Sequence, residues 1–412
     1  MALYSLGVKT VASFGHRKAM LMTAGQNSTF RQIDQWVESL GGKRPVWFHA
    51  ASLGEFEQGR PVIERLRRDY PDIPIVLSFF SPSGYEVRKN YQGVDMVVYL
   101  PFDTPSNARR FVNALNPIAA VFVKYEFWGN YLAALSRKNV PVFLISAIFH
   151  AHQPFFKKWG GMFRKMLDAY NTFFVQSEQS ARLLESAGVG RARIVVSGDT
   201  RFDRVTDNLK SAPKVEAVER WVAADPGKFT FIAGSSWEPD EEIYAGWVSR
   251  HPDVRVIIAP HEFNEARLAA LEQKFGPGVE RFSSVSRFNE IKPDTRVLII
   301  DCFGLLATLY RYGSMAYVGG GFGAGIHSVA EAAVYNIPVV FGPRHKKFKE
   351  ACDLIAEGGG FSVDTVDSFD ELADKFYSDS EARRQAGAKA GGYIAANLGA
   401  TDKVMEHLSR FL

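Results

Sequence analysis

Two cysteines, Cys302 and Cys352, are all that the 412 residues contain. That excludes a disulfide framework and a cysteine-based metal site, and it fits a reducing compartment. No run reaches the ~18–20 continuous apolar residues that a membrane-crossing helix needs. Charge of one sign is also scarce: 49 basic residues against 45 acidic ones leave a formal +4. So small an excess gives no sign of a nucleic-acid partner. Missing too are HExxH, an EF-hand loop and an Asp-x-Asp at a strand end, so no metal and no cofactor are expected. Neither a Gly-Lys-Ser/Thr phosphate loop nor a Gly-x-Ser-x-Gly nucleophile elbow occurs.

The N-terminal stretch "MALYSLGVKTVASFGHRKAMLMTAG" has no acidic residue before Asp34 and lacks the unbroken apolar core of a secretory signal. It reads either as a basic amphipathic segment lying on an anionic membrane surface or as a terminal helix packed on the body of the protein. At 412 residues the chain exceeds one ordinary core, which predicts two domains.

From residue 45 onward short apolar runs alternate with amphipathic segments. The runs "PVWFHAA", "IPIVLSFFS", "DMVVYLP", "IAAVFVKY", "PVFLIS", "TFFVQS" and "RIVVSGD" occupy the first half; "FTFIAGSS", "VRVIIAP", "RVLIID", "MAYVGGG" and "PVVFGP" the second. Runs without polar alternation predict strands buried on both faces, and strand–helix alternation predicts doubly wound parallel sheets. A polar break at residues 203–228 separates two α/β halves, and the last segments read as helices. Open α/β sheets bind ligands at the carboxyl ends of their strands, so the informative residues are those that follow strands.

The stretch "YVGGGFGAGIHSVAEAAVYNIPVVFGP" carries Gly319, Gly320, Gly321, Gly323 and Gly325 into a helix expected to begin near His327 or Ser328. Glycines admit close backbone approach and a helix N-terminus attracts an anion, so this reads as a phosphate cradle with Glu331 placed to accept from a ribose. The alternative is a glycine-rich turn capped by Ser328. "APHEF" places Pro260 and His261 after a strand, and "GSSWEPDEE" offers Ser236 as a ligand contact or helix cap. In the first half, "HAASLGEFEQGRP" sets Glu55 at the opening of a helix, "FVKYEFWGN" sets Glu126 after a strand, and "SFFSPSG" offers Ser81 and Ser83 as donors or caps. "SGDTRFDR" presents Arg201 as a phosphate-binding cation or as the ion-pair partner of Asp199 or Asp203. Finally, "FHAHQPFFKKWGGMFRKML" interleaves Lys157, Lys158, Arg164 and Lys165 with Phe155, Phe156, Trp159 and Phe163, a mixture suited to a membrane interface or an anionic amphiphile.

Taken in order, "HAASLGEFEQGRPVIERL", "SFFSPSGYEVR", "VYLPFDTPSNARRFVNALNP", "KYEFWGNYL", "SGDTRFD", "APHEF" and "VGGGFGAGIHSVAEAAVYNIPVVFGP" resemble the lipid A Kdo transferases, which transfer 3-deoxy-D-manno-octulosonic acid (Kdo). The resemblance implies two Rossmann-like lobes facing a central cleft, of glycosyltransferase-B type, with the C-terminal helix returning to the first lobe. It implies an acceptor domain with a membrane-proximal N-terminal segment at residues 1–204, a CMP-Kdo domain at 205–395 and the returning helix at 396–412. The donor would be CMP-Kdo and the acceptor a lipid A precursor at the cytoplasmic face of the inner membrane. By motif position, the general base falls on Glu55, a second functional glutamate on Glu126 and a transition-state cation on Arg201. Contacts to CMP fall on Pro260 and His261, on Phe303, Gly304 and Leu305, and on Gly320, Gly321, Ser328, Val329, Ala330 and Glu331. Lys124, Gly129, Arg201, Leu305 and Ser328 depart from the usual motif residues and mark a divergent branch.

On this reading Glu55 takes the proton of a lipid A sugar hydroxyl that attacks the anomeric carbon of Kdo. One carboxylate suffices, because departing CMP needs no strong acid. A helix N-terminus lowers the pKa of Glu55, against its task as a base; burial beneath a bound lipid would raise it again. A UDP-sugar transferase or epimerase, or a non-catalytic nucleotide-sugar binder, would share the glycine loop.

Overall fold

The computed structural model describes residues 17–211, 214–288 and 290–412. It divides into two compact units, one comprising the described residues up to Asp203 together with Leu398–Leu412, the other Arg204–Asn397. Each is built on a seven-stranded, wholly parallel sheet.

In the first unit the strands are β1 (Val46–Ala50), β2 (Ile75–Phe79), β3 (Met96–Tyr99), β4 (Ala119–Val123), β5 (Val142–Ala147), β6 (Thr172–Val175) and β7 (Ile194–Val196), ordered 3-2-1-4-5-6-7. Their uninterrupted apolar character follows from burial on both faces. Trp47, Val76 and Phe122 enter one core layer, while Val46, Phe48 and Leu77 enter the other. Register sets His49 of β1 beside Ser78 of β2 and Phe122 of β4.

The helix Arg17–Ser39 packs along β3, with Ile33 fully buried and the Thr29 hydroxyl donating to the Tyr99 carbonyl at 2.9 Å. From Arg17 onward, then, the packed-helix reading holds; the membrane-lying reading of residues 1–16 falls outside the described residues. At the other end, the Asp203 carboxylate accepts from the amides of Gly399 (2.7 Å) and Thr401 (2.6 Å), fixing the start of the helix Ala400–Leu408. That helix lies on Leu53–Asp69 and buries Val404 and Leu408 in the first unit's core.

The second unit contains β8 (Thr230–Ser236), β9 (Arg255–Pro260), β10 (Val279–Arg281), β11 (Val297–Ile299), β12 (Met315–Val318), β13 (Val339–Phe341) and β14 (Gly360–Ser362), ordered 10-11-9-8-12-13-14. Its outermost strands, β10 and β14, have no counterpart among the apolar runs of the sequence. Each is three residues long and only partly buried, so neither carries the apolar signature of a central strand.

Candidate active site

In a doubly wound sheet, the strand order reverses at one point, and the loops there leave a crevice at the carboxyl edge. In the first unit this point lies between β1 and β4, and in the second between β8 and β12. Glu55 follows β1, Glu126 follows β4, and the glycine stretch follows β12. Sequence-predicted residues thus gather at both switch points.

Glu55 occupies the first turn of the helix Leu53–Asp69. Its Oε2 accepts from the Ser52 amide and the Ser52 hydroxyl, both at 2.9 Å, so it does serve the helix end. Its pKa is nevertheless raised. Burial is the largest cause and the charge of Glu126 the next; together they outweigh the two Ser52 hydrogen bonds and the charge of Lys124. The lowering expected from the helix end is overturned without any lipid on top: desolvation and a like charge win. A carboxylate shifted this way is a better proton acceptor when ionised.

Glu126 is 5% exposed and is delivered by a strained turn, with Lys124 at φ +73°. The Trp128 indole N–H donates to Oε2, and the Tyr170 hydroxyl donates to the main-chain carbonyl. His49, fully buried, places Nε2 3.0 Å from the same Oε2. In the sequence His49 looks like one polar residue in an apolar strand; only the pairing of β1 with β4 brings it to Glu126.

Arg201 is held by Asp199, with Nε at 3.0 Å and Nη2 at 2.8 Å from Oδ2. Asp199 also accepts from Gln58 Nε2 (3.3 Å), on the same helix as Glu55. The ion pair weighed in the sequence therefore exists, and it fixes the guanidinium. Ser81 caps the helix Pro82–Arg88, accepting from the Ser83 amide at 3.2 Å.

Next to Glu126 opens a cavity of about 920 Å³, walled by Phe127, Trp128, Leu132, Met162 and Met166, with Lys165 also on its lining. Of the aromatics at 155–163, Phe155, Phe156 and Phe163 pack into the core, and Arg164 donates to the carbonyls of Phe155 and Lys157. The interface character expected of that segment narrows to Lys158, Trp159 (69% exposed), Met162 (68% exposed) and Lys165.

In the second unit the glycine loop is shaped from within. Buried Asp240 accepts from the Gly320 amide (2.8 Å), the Trp237 amide (3.0 Å) and the Tyr317 hydroxyl (3.0 Å). The amides of Gly319, Gly323, Gly325 and His327 go to loop or strand carbonyls. Gly320 has φ +93°, and a Cβ there would lie 2.4 Å from the Gly325 carbonyl oxygen; at Gly321 a Cβ would lie 2.5 Å from the Gly342 Cα.

The following helix is a single turn, Ala330–Ala333, starting later than His327 or Ser328, and its N-cap position is Val329 rather than Ser328. The amides of Ser328, Val329 and Ala330 stand where a helix start leaves donors without intrahelical acceptors.

Around this turn the rings of Trp237, His261 and His327 stack, with centroids 4.5 Å (Trp237–His261) and 4.3 Å (His261–His327) apart. Burial and then the neighbouring His261 push the pKa of His327 down to about 4. Burial also raises the pKa of Glu331, partly offset by Arg204. Ser236 is not a cap: its hydroxyl is buried against Glu241 (3.1 Å) and Tyr244 (2.8 Å). Pro260 closes β9, and beyond β11 Phe303 is 83% exposed beside Phe263, followed by Gly304 (φ +90°) and Leu305.

The model of the family described as 3-deoxy-D-manno-octulosonic-acid transferase (kdotransferase) matches residues 23–204. A 3-deoxy-D-manno-octulosonic acid transferase of Haemophilus influenzae is 24% identical over 380 residues, covering 89% of this chain and 87% of its own. Its namesake in Bordetella pertussis is 28% identical over 388 residues, with the same coverage, 89% and 87%. Among solved structures, the UDP-GlcNAc 2-epimerase of Neisseria meningitidis bound to UDP-GlcNAc superposes over 89% of this chain and 100% of that one, with a TM-score of 0.60 at 14% identity. That likeness carries the fold, of glycosyltransferase-B type, and nothing further.

Proposed function

We propose that this glycosyltransferase, similar to the 3-deoxy-D-manno-octulosonic-acid transferases, is a member of that family and moves Kdo from CMP-Kdo to a lipid A precursor, with inversion, in lipopolysaccharide synthesis. The observation that carries this reading is Glu55: a carboxylate at the first unit's switch point, made more basic by burial and by Glu126. An acceptor hydroxyl needs a proton acceptor of that kind, and departing CMP needs no matching acid. In the reaction the O–H proton passes to Glu55, the oxygen bonds the anomeric carbon, and the bond from that carbon to the CMP phosphate oxygen breaks. Arg201, steadied by Asp199, offsets charge on the departing phosphate. The amides of Ser328, Val329 and Ala330 hold that phosphate, Glu331 accepts from the ribose, and Pro260, His261, Phe303, Gly304 and Leu305 bound the nucleotide.

The acceptor reading draws on the cavity beside Glu126. Its Phe, Trp, Leu and Met walls suit an acyl chain, and Lys158 and Lys165 suit an anionic amphiphile or the membrane surface that supplies it. No helix among the described residues is long and apolar enough to cross a membrane. We place the protein at the cytoplasmic face of the inner membrane, peripheral or N-terminally anchored, with residues 1–204 serving the acceptor and 205–395 the donor. A thermal-shift comparison tests the donor: CMP-Kdo raises the melting temperature and UDP-GlcNAc does not. Stabilisation by UDP-GlcNAc alone would replace this reading with a UDP-sugar enzyme.

A further inference from the structure

The proton arrangement around His49 can be worked out from its neighbours. Glu126 Oε2 already accepts from the indole of Trp128, a group that only donates. With Oε2 accepting that bond as a carboxylate, His49 Nε2, 3.0 Å away, pairs with it as a donor in the tautomer or charge state that carries a hydrogen on Nε2. On the other side of the ring, Nδ1 lies 3.0 Å from the Ser78 carbonyl and 2.8 Å from the Ser78 hydroxyl. It can donate to the first or accept from the second, so Ser78 accommodates either a charged or a neutral imidazole. The Ser78 hydroxyl is itself fixed by the Trp47 indole at 2.7 Å. Rings of Phe122 (5.7 Å) and Trp128 (5.6 Å) stand edge-on to the imidazole. The result is a buried relay, Trp47–Ser78–His49–Glu126–Trp128, closed on both flanks.

Burying a carboxylate among these rings is costly unless hydrogen-bond donors satisfy it, and on the imidazole side His49 Nε2 is that donor. Glu126 interacts electrostatically with Glu55, and the other groups acting on Glu55 are Ser52, through two hydrogen bonds, and the Lys124 ammonium; Tyr125 lies close enough to respond to it.

We propose that His49 is a positioning residue for catalysis: by donating from Nε2 it holds the Glu126 carboxylate at the carboxyl end of β4, beside the strand that delivers Glu55, so that Glu126 stands as a fixed negative charge facing the proposed base. The inference rests on Glu55 as the base of the proposed transfer. It assigns Glu126 an electrostatic task carried out through Glu55.

The test separates this from a histidine that only fills the core. Selectively ¹³C-labelled glutamate, with the Glu55 signal assigned by its loss in Glu55→Gln, gives the Glu55 titration without any substrate. His49→Leu and Glu126→Gln each move the Glu55 midpoint to lower pH, and the double variant moves it no further. His49→Gln, which keeps an amide donor toward Glu126, holds the midpoint near that of the parent protein. In the transfer assay His49→Leu lowers kcat roughly 10-fold or more and moves the acid limb of its pH profile down, leaving the acceptor KM unchanged. Should the leucine variant not fold, His49→Asn replaces it: it keeps a polar group against Ser78 while withdrawing the donor from Glu126. An unmoved Glu55 midpoint in a folded variant, or additive effects in the double variant, overturns the proposal. A midpoint that moves in a protein showing no Kdo transfer keeps the electrostatic coupling and sinks the substrate reading instead.

Discussion

Glu55 and Glu126 stand at the carboxyl ends of adjacent parallel strands, β1 and β4, and the charge of Glu126 raises the pKa of Glu55. Like charges placed together in a partly buried site cost stability. A native protein retains that cost where function uses it.

Stability should expose it. Because the folded-state pKa of Glu55 lies above the ordinary value of 4.5, the folded protein binds this proton more tightly than the unfolded chain does. Stability from this group is therefore full below about pH 4.5 and is lost as pH rises through the raised folded value. Glu55→Gln, which cannot ionise, should melt higher than the parent at pH 7 and at the same temperature near pH 4. Calorimetry at the two pH values checks it; a lower melting temperature at pH 7 would mean that the carboxylate stabilises the fold.

Ser52 pulls the other way. Its amide and hydroxyl favour ionised Glu55, so Ser52→Ala should raise the Glu55 midpoint and move the acid limb of the rate profile to higher pH. Losing the polar residue at this helix start should also cost about 1 kcal/mol. An acid limb that stays put, measured across pH 4–8, would detach Ser52 from the base.

The glycine loop offers a paired test. Gly320→Ala combines φ +93° with a Cβ 2.4 Å from the Gly325 carbonyl oxygen, so it should destabilise the second unit by at least ~1–2 kcal/mol and abolish nucleotide binding. Gly323→Ala meets only the Gly320 carbonyl oxygen at 3.6 Å and should be tolerated. Denaturant melts and calorimetric titration with CMP would contradict this if both substitutions behaved alike.

For Arg201 the ion pair with Asp199 raises a sharp question. Arg201→Met should lower kcat well beyond any effect on the acceptor KM, since offsetting leaving-group charge acts in the transition state. An unchanged kcat would leave Arg201 as a structural partner of Asp199.

The extent to which the sequence disclosed all this follows from what each signal depends on. Twelve strands are legible as apolar runs because central parallel strands are buried on both faces, whereas β10 and β14, short and half-exposed at the sheet edges, leave no such trace. Glu55, Glu126 and the glycine stretch announce themselves by following strands. His49 and Asp240 do not. One sits inside an apolar run and the other inside an acidic helix start, and their partners, Glu126 and the Gly320 amide, lie 77 and 80 residues away along the chain. Helix onset after the glycines is hidden for a related reason: the amides of Gly323, Gly325 and His327 bond the carbonyls of Gly319 and Gly320, and the helical turn begins only at Ala330.

The most direct measurement is product formation by Glu55→Gln, followed by mass spectrometry with CMP-Kdo and a tetra-acylated lipid A precursor. Transfer should fall at least ~10²-fold with CMP-Kdo binding intact. Near-normal turnover in that variant would contradict Glu55 as the base.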